Sequence, residues 1–262
     1  MLAYMNYGIT HLALVPVRLT PSDKAEILTF LLFGECFQVL ECSDKWTFVK
    51  AVYDGYEGWI DNKQYVNLEE HLRERMSTSY YISHDLLNRV INETTGESFL
   101  IPMGSCLPFW NGSSCSINMN SYRVEGNVGL FTPIHSLTQI IAVAKLFLHT
   151  PYLWGGKACL GIDCSGFVQI VYKRFGIKML RDANEQVQQG ITVVSLSEAQ
   201  TGDLAFFENQ EKKITHVGIL LNRQQIIHAS GCVRIDAIDE QGIYKIESDA
   251  YSHRLSVIKR VV

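Results

Sequence analysis

Clustered positive charge is missing from this chain: its 23 Lys and Arg are scattered among 27 Asp and Glu, for a net charge of −4 in 262 residues. With a pI near 6.1 there is no basic footprint for phosphate backbones, which excludes nucleic acid as an expected partner. Long apolar runs are missing too, since none reaches the roughly 18–20 residues of a membrane span. The opening stretch "MLAYMNYGITHLALVPVRLTP" has no basic residue before its apolar part and carries Asn6, Thr10 and His11 inside it. It does not read as a secretory signal, and the expected address is cytoplasmic. Six Pro and 19 Gly are too few for long disorder, and a hydrophobic share of 47% against 19% charged residues describes a folded chain. Seven cysteines are odd in number and irregularly spaced, so each is read as a reduced packing residue; Cys106 and Cys115 would bridge only in an exported protein.

The length suits two or three compact modules. Residues 1–68 read as short strands, "GITHLALVPVR", "ECFQVLEC", "KWTFVKAV" and "YEGWIDN", separated by turn material, the pattern of a small β-barrel. Residues 69–134 are read as a second small barrel or a β-rich extension: "SHDLLNRVINE" fits either a helix or a strand pair, while "ESFLIPMGSCLPFW" and "SINMNSYRVEGNV" look extended. Residues 135–262 change texture. "SLTQIIAVAKLFLHT" has Ile140, Ile141, Ala144 and Leu148 at helical spacing behind a possible Ser136 cap, and "GDLAFF", "THVGILL" and "QQIIHASG" read as buried antiparallel strands. Helix first and sheet after makes this an α+β domain.

In "LGIDCSGFVQIVYKRFG", Phe167, Ile170, Val171 and Phe175 recur at helical intervals after Cys164, which places that cysteine in the first turn. Free N–H groups and the helix dipole favour an anion there, and thiolates so placed beside histidine have pKa values of roughly 3.5–7.5. The Cys164 N–H is itself a candidate oxyanion donor. A thiol nucleophile needs a base. His216 and His228 lie on consecutive expected strands, twelve residues apart, where a hairpin brings them together: His216 to shuttle the proton and His228 to hold its tautomer. The other histidines, His11, His71, His84, His135, His149 and His253, are assigned to packing or surface. Cys159, His216 and His228 lack the tight spacing of a zinc site, and no metal or organic cofactor is expected.

"YLWGG", "GIDCSGFV", "GDLAFF", "HVGILL" and "IIHASG", in this order over residues 136–262, resemble the NlpC-type cysteine peptidases, papain-like enzymes that cut bacterial cell-wall peptides. "WTFVKAVYDGYEGWI" is similar to the bacterial SH3-like domains found beside cell-wall enzymes. The resemblance implies a papain-like catalytic domain preceded by one or two SH3-like barrels, with Cys164 as nucleophile, His216 as base and His228 as orienting residue. It also points to the γ-D-glutamyl-L-diamino-acid endopeptidases, dipeptidyl-peptidase VI among them. Their substrate is a murein stem peptide with a free N-terminal L-Ala, cut between D-Glu and meso-diaminopimelate or L-Lys during wall recycling. Carried onto this sequence, the resemblance makes Asp182 in "MLRDANEQ" the partner of the free ammonium, although an N-cap role suits it equally. Asp163 and Ser165 flank the nucleophile, Tyr152 and Trp154 line the cleft, and Glu35 in "LLFGE" with Tyr56 in "DGYEGW" supplies the acid and tyrosine that close one end of the groove. An amidase or acyltransferase of the same superfamily, or a non-catalytic wall-binding module, are the alternatives.

Overall fold

Alternation of apolar and polar residues builds the first third of the chain. Every second residue of Leu14–Arg18 and Trp46–Ala51 is buried, Val15 and Val17 in one strand and Thr47, Val49 and Ala51 in the other, as a pleated strand with one core face requires. The computed structural model describes residues 7–68, 80–131, 136–245 and 249–261; His71 and His135 lie outside them, as does part of each segment joining the expected modules. The chain divides into two compact units, Met1–Thr132 and Pro133–Val262.

In the first unit, seven antiparallel strands run in the order Ile27–Leu32, Leu14–Arg18, Glu57–Asp61, Trp46–Ala51, Cys36–Cys42, Tyr7–Thr10, Tyr65–Leu68. Their core holds Val15, Val17, Leu31, Phe37, Val49, Ala51 and Ile60. Residues 80–131 form a four-stranded and a three-stranded sheet. The stretch "SHDLLNRVINE" is extended: Leu87–Asn92 pairs with Ser98–Pro102 on one side and Asn120–Glu125 on the other. Partners on both edges, together with burial of Val90, decide between the two conformations its own residues allow. Tyr7, Ile9, Phe33 and Leu68 share one hydrophobic cluster with Val90, Ile101, Leu107, Cys115, Ile117 and Tyr122. All seven cysteines are free thiols, Cys106 and Cys115 among the buried ones.

The second unit opens with helix α1 (Leu137–Leu146), which buries Ile140 and Ala144 behind Ser136 at its N-cap position. Helix α2 (Cys164–Lys173) is buried on every side, and α3 (Ala183–Gln186) is a single turn. Seven antiparallel strands follow: β1 (Ile191–Val193), β2 (Leu204–Glu208), β3 (Ile214–Asn222), β4 (Gln225–Ser230), β5 (Cys232–Ile238), β6 (Gly242–Lys245) and β7 (Ala250–Arg260). They run in the order β1-β7-β2-β3-β4-β5-β6, and β6 also pairs with β7, so six of them close on themselves. Helix α2 packs on β3 and β4, which sets its first turn against the histidine strands. Among the described residues no helix is long and apolar enough to cross a membrane.

Candidate active site

Cys164 is the first residue of α2, and the turn before it is held by Asp163. That carboxylate caps the helix by accepting the Gly166 N–H at 2.6 Å, and it accepts the Gly155 N–H at 2.9 Å from the preceding loop. Arg181 grips it with both guanidinium nitrogens, Nη1 to Oδ1 at 3.0 Å and Nη2 to Oδ2 at 2.5 Å, and also donates to Ser165 Oγ at 2.9 Å. Arg181 is 1% exposed, so this is a buried two-pronged ion pair whose acceptors are all used inside the protein. Asp163 and Ser165, the residues that flank Cys164, are both engaged within this turn, by the cap and by Arg181. A side chain at Gly166 would strike the Gly156 carbonyl oxygen at 2.2 Å, so the absent Cβ lets α2 start flush against the "YLWGG" loop.

His216, His228 and Asp236 form a row across three neighbouring strands. His228 on β4 lies opposite Gly218 on β3 and opposite Arg234 on β5. With a side-chain period of two, His216, two residues before Gly218, shares its face, as does Asp236, two residues after Arg234. His216 Nε2 is 2.7 Å from His228 Nδ1, and His228 Nε2 is 2.9 Å from Asp236 Oδ2. Arg234 donates Nε and Nη2 to Asp236 Oδ1 at 2.9 and 2.7 Å. A Cβ on Gly218 would meet His228 Cβ at 2.8 Å; glycine there lets the two rings approach across the hairpin. His253 on β7 stacks on His216, centroids 4.1 Å apart and planes 26° from parallel, and Phe207 flanks both rings.

Cys164 is 6% exposed, and its sulfur lies beside Val217, the residue after His216. Burial and the Asp163 charge push the thiol up to about 12, while backbone hydrogen bonds from Val217 and Ser165 and the Arg181 charge pull the other way. The position at a helix start favours an anion, as its sequence suggests, but desolvation outweighs it; the resting thiol is protonated. His216 is held well below its ordinary value by burial and by the charges of His228, His253 and Lys245. Thiol and imidazole are thus both neutral at rest. Tyr152 is coupled to the same sulfur: burial, then the Cys164 and Asp163 charges, raise its phenol. It remains a hydrogen-bond donor at neutral pH. Trp154, two residues on, is 61% exposed.

Residues 149–250 match the NlpC/P60 family, and residues 17–64 match the bacterial dipeptidyl-peptidase Sh3 domain. A probable endopeptidase of Haemophilus influenzae is 34% identical over 139 residues, covering 51% of this chain and 82% of that protein. The chain belongs to the NlpC/P60 family. It is 26% identical over 238 residues to a gamma-D-glutamyl-L-lysine dipeptidyl-peptidase of Bacillus cereus, covering 80% of this chain and 69% of that one. The crystal structure of an NlpC/P60 family protein from Bacillus cereus shares the fold, with a TM-score of 0.83 at 18% identity over 97% of this chain and 99% of that one.

In this NlpC/P60 cysteine peptidase, Asp182 heads α3 in a capping box with Glu185, whose carboxylate accepts the Asp182 N–H at 3.1 Å. It follows Arg181 directly, so the Asp163–Arg181 pair anchors the segment that carries Asp182. Glu35 and Tyr56 belong to the first unit. Glu35 is buried, not a solvated turn residue, and accepts the Leu32 N–H at 2.8 Å; Tyr56 is half-buried before the strand Glu57–Asp61. Three residues of the site escaped the sequence reading: Arg181, Asp236 and His253, the last assigned to general packing although its partner is His216. For Asp236 a signal existed. The turn at Gly231 pairs Ser230 with Cys232, and counting outward from it puts residue 236 on the face of residue 228.

The NlpC/P60 histidine row makes stability depend on pH. His216, His228 and His253 are all lowered, chiefly by burial, His253 to about 4. Below about 6.5 the unfolded chain therefore binds protons that the folded chain refuses. The contribution is complete above that pH and is lost as the pH falls toward the depressed values. The expected result is a stability that falls steadily as the pH drops below about 6.5. Guanidinium denaturation at pH 7, 5.5 and 4.5 checks this; a stability flat from 7 to 4.5 would contradict it.

Proposed function

We propose that this peptidase hydrolyses the amide between the γ-carboxyl of D-Glu and the diamino acid, L-Lys or meso-diaminopimelate, in murein stem peptides with a free N-terminal L-Ala, and that it serves the recycling of wall peptides in the cytoplasm. Cys164 is the nucleophile, His216 the base and His228 its orienting partner. The observation that carries the reading is the joint placement of the Cys164 sulfur beside Val217 with the 2.7 Å contact between His216 and His228, in a chain similar over 80% of its length to a gamma-D-glutamyl-L-lysine dipeptidyl-peptidase. Residues 80–131 are read as a second barrel-like module beside the SH3 match.

In this mechanism the Cys164 thiol proton passes to His216 as sulfur bonds to the γ-carbonyl carbon. The oxyanion is met by the Cys164 N–H and the Tyr152 hydroxyl. Collapse breaks the C–N bond, the His216 proton goes to the leaving amine, and a thioester remains. Water, losing a proton to His216, attacks the thioester; the C–S bond breaks and the thiol recovers the proton. Asp182 receives the substrate ammonium, so only a peptide with a free amine sets its second carbonyl at the sulfur. N-acetyl-L-Ala-γ-D-Glu-L-Lys leaves that carboxylate unpaired, and is expected to be cut at least about 100-fold more slowly than the free peptide. Mass spectrometry of released lysine tests this. Asp182→Ala should narrow the difference; equal rates for both peptides in the wild-type protein would remove amine recognition, and binding without turnover would favour a non-catalytic module.

A further inference from the structure

The hydrogen-bonded row does not end at His228. Asp236 Oδ2 faces His228 Nε2 at 2.9 Å, while Arg234 Nε and Nη2 donate to the other oxygen, Oδ1. Oδ2 is thereby left for the imidazole. The fork of Arg234 keeps the carboxylate ionised, and an ionised carboxylate is only an acceptor. A lone pair on His228 Nε2 would oppose the carboxylate's own at that distance, so Nε2 must carry the proton. Nδ1 of His228 then holds a lone pair, which at 2.7 Å demands a proton on His216 Nε2. By exclusion the lone pair of His216 sits on Nδ1.

We propose that Asp236, clamped by Arg234, is a positioning residue that sets the tautomers of both buried histidines and so fixes His216 Nδ1 as the basic nitrogen. The inference rests on the reading of Cys164 and His216 as nucleophile and base. Among the described residues, the charged and titratable groups facing the row are Asp236 and Arg234 from β5, Lys245 from β6 and His253 from β7. Among these, Asp236 alone supplies an acceptor in contact with His228. The logic parallels a buried aspartate holding a catalytic imidazole in a serine protease, where the amide variant keeps its shape and loses about four orders of magnitude in kcat. Here the effect is passed through one more ring.

The test reads tautomers directly. Nitrogen-15 histidine spectra of the full-length protein at pH 7 are expected to show Nε2–H and bare Nδ1 for both His216 and His228. In Asp236→Asn the new amide donates to His228 Nε2 and both rings invert, with kcat on the free peptide falling about 100- to 10,000-fold and KM nearly unchanged. The loss should shrink as pH rises, and Asp236→Glu should restore the tautomers and part of the rate. A wild-type spectrum with a proton on Nδ1 of either ring would overturn the proposal without any variant. So would a folded Asp236→Asn protein with wild-type kcat, or one with a lower melting temperature but unchanged tautomers. Failure of the wild-type protein to cleave the peptide sinks the substrate reading alone, because the spectra report on the row independently.

Discussion

Cys164→Ala is expected to lower turnover of L-Ala-γ-D-Glu-L-Lys by about four orders of magnitude or more, leaving only what binding and oxyanion contacts provide. The fold should survive. The Asp163 cap and the Arg181 grip do not involve the sulfur, and alanine fits where the thiol was. Cys164→Ser is expected to fare little better. The thiol already sits at about 12, and a hydroxyl is a far weaker acid facing the same reluctant base, His216. Lysine release by mass spectrometry, with a thermal melt on the same samples, separates loss of chemistry from loss of structure. A Cys164→Ala protein within tenfold of wild type would remove the sulfur from the reaction.

Arg181→Ala carries the largest expected cost in stability, about 3–5 kcal/mol, because it leaves the buried Asp163 carboxylate without its countercharge. Asp163 would retain the Gly155 and Gly166 N–H groups, which places the loss below that of an isolated buried ion. Activity should fall with stability. The guanidinium favours the thiolate of Cys164, and it holds Ser165 in the first turn of α2. Arg181→Lys, with one point of charge in place of a two-pronged fork, is expected to lie between wild type and alanine. Denaturant unfolding measures the difference, and a change under 1 kcal/mol for Arg181→Ala would mean that Asp163 does not depend on its partner.

What the sequence made legible was local. A cysteine at the start of an apolar helical run, and two histidines on the arms of one hairpin, follow from spacing alone, and α2, β3 and β4 carry them. What it hid depends on distant partners. Arg181 reads as a solvated charge until Asp163, 18 residues earlier, is seen to bury it. Asp236 reads as the polar face of "RIDAID" until the Gly231 turn fixes its register with His228. The thiol's titration shows the same division: its place at a helix start is written in the sequence, whereas the burial that overrides the dipole comes from the strands packed over it. In "SHDLLNRVINE", helix and strand are equally supported by its short apolar runs, and only pairing across the sheet decides.

The most direct measurement is a rapid acid quench of the wild-type protein during its first turnover of L-Ala-γ-D-Glu-L-Lys, followed by peptide mapping. The L-alanyl-γ-D-glutamyl group should be found as a hydroxylamine-sensitive thioester on the peptide containing Cys164. An acyl group on any other residue, or lysine released with no acylated Cys164 at any time while Cys164→Ala keeps its rate, would contradict the account.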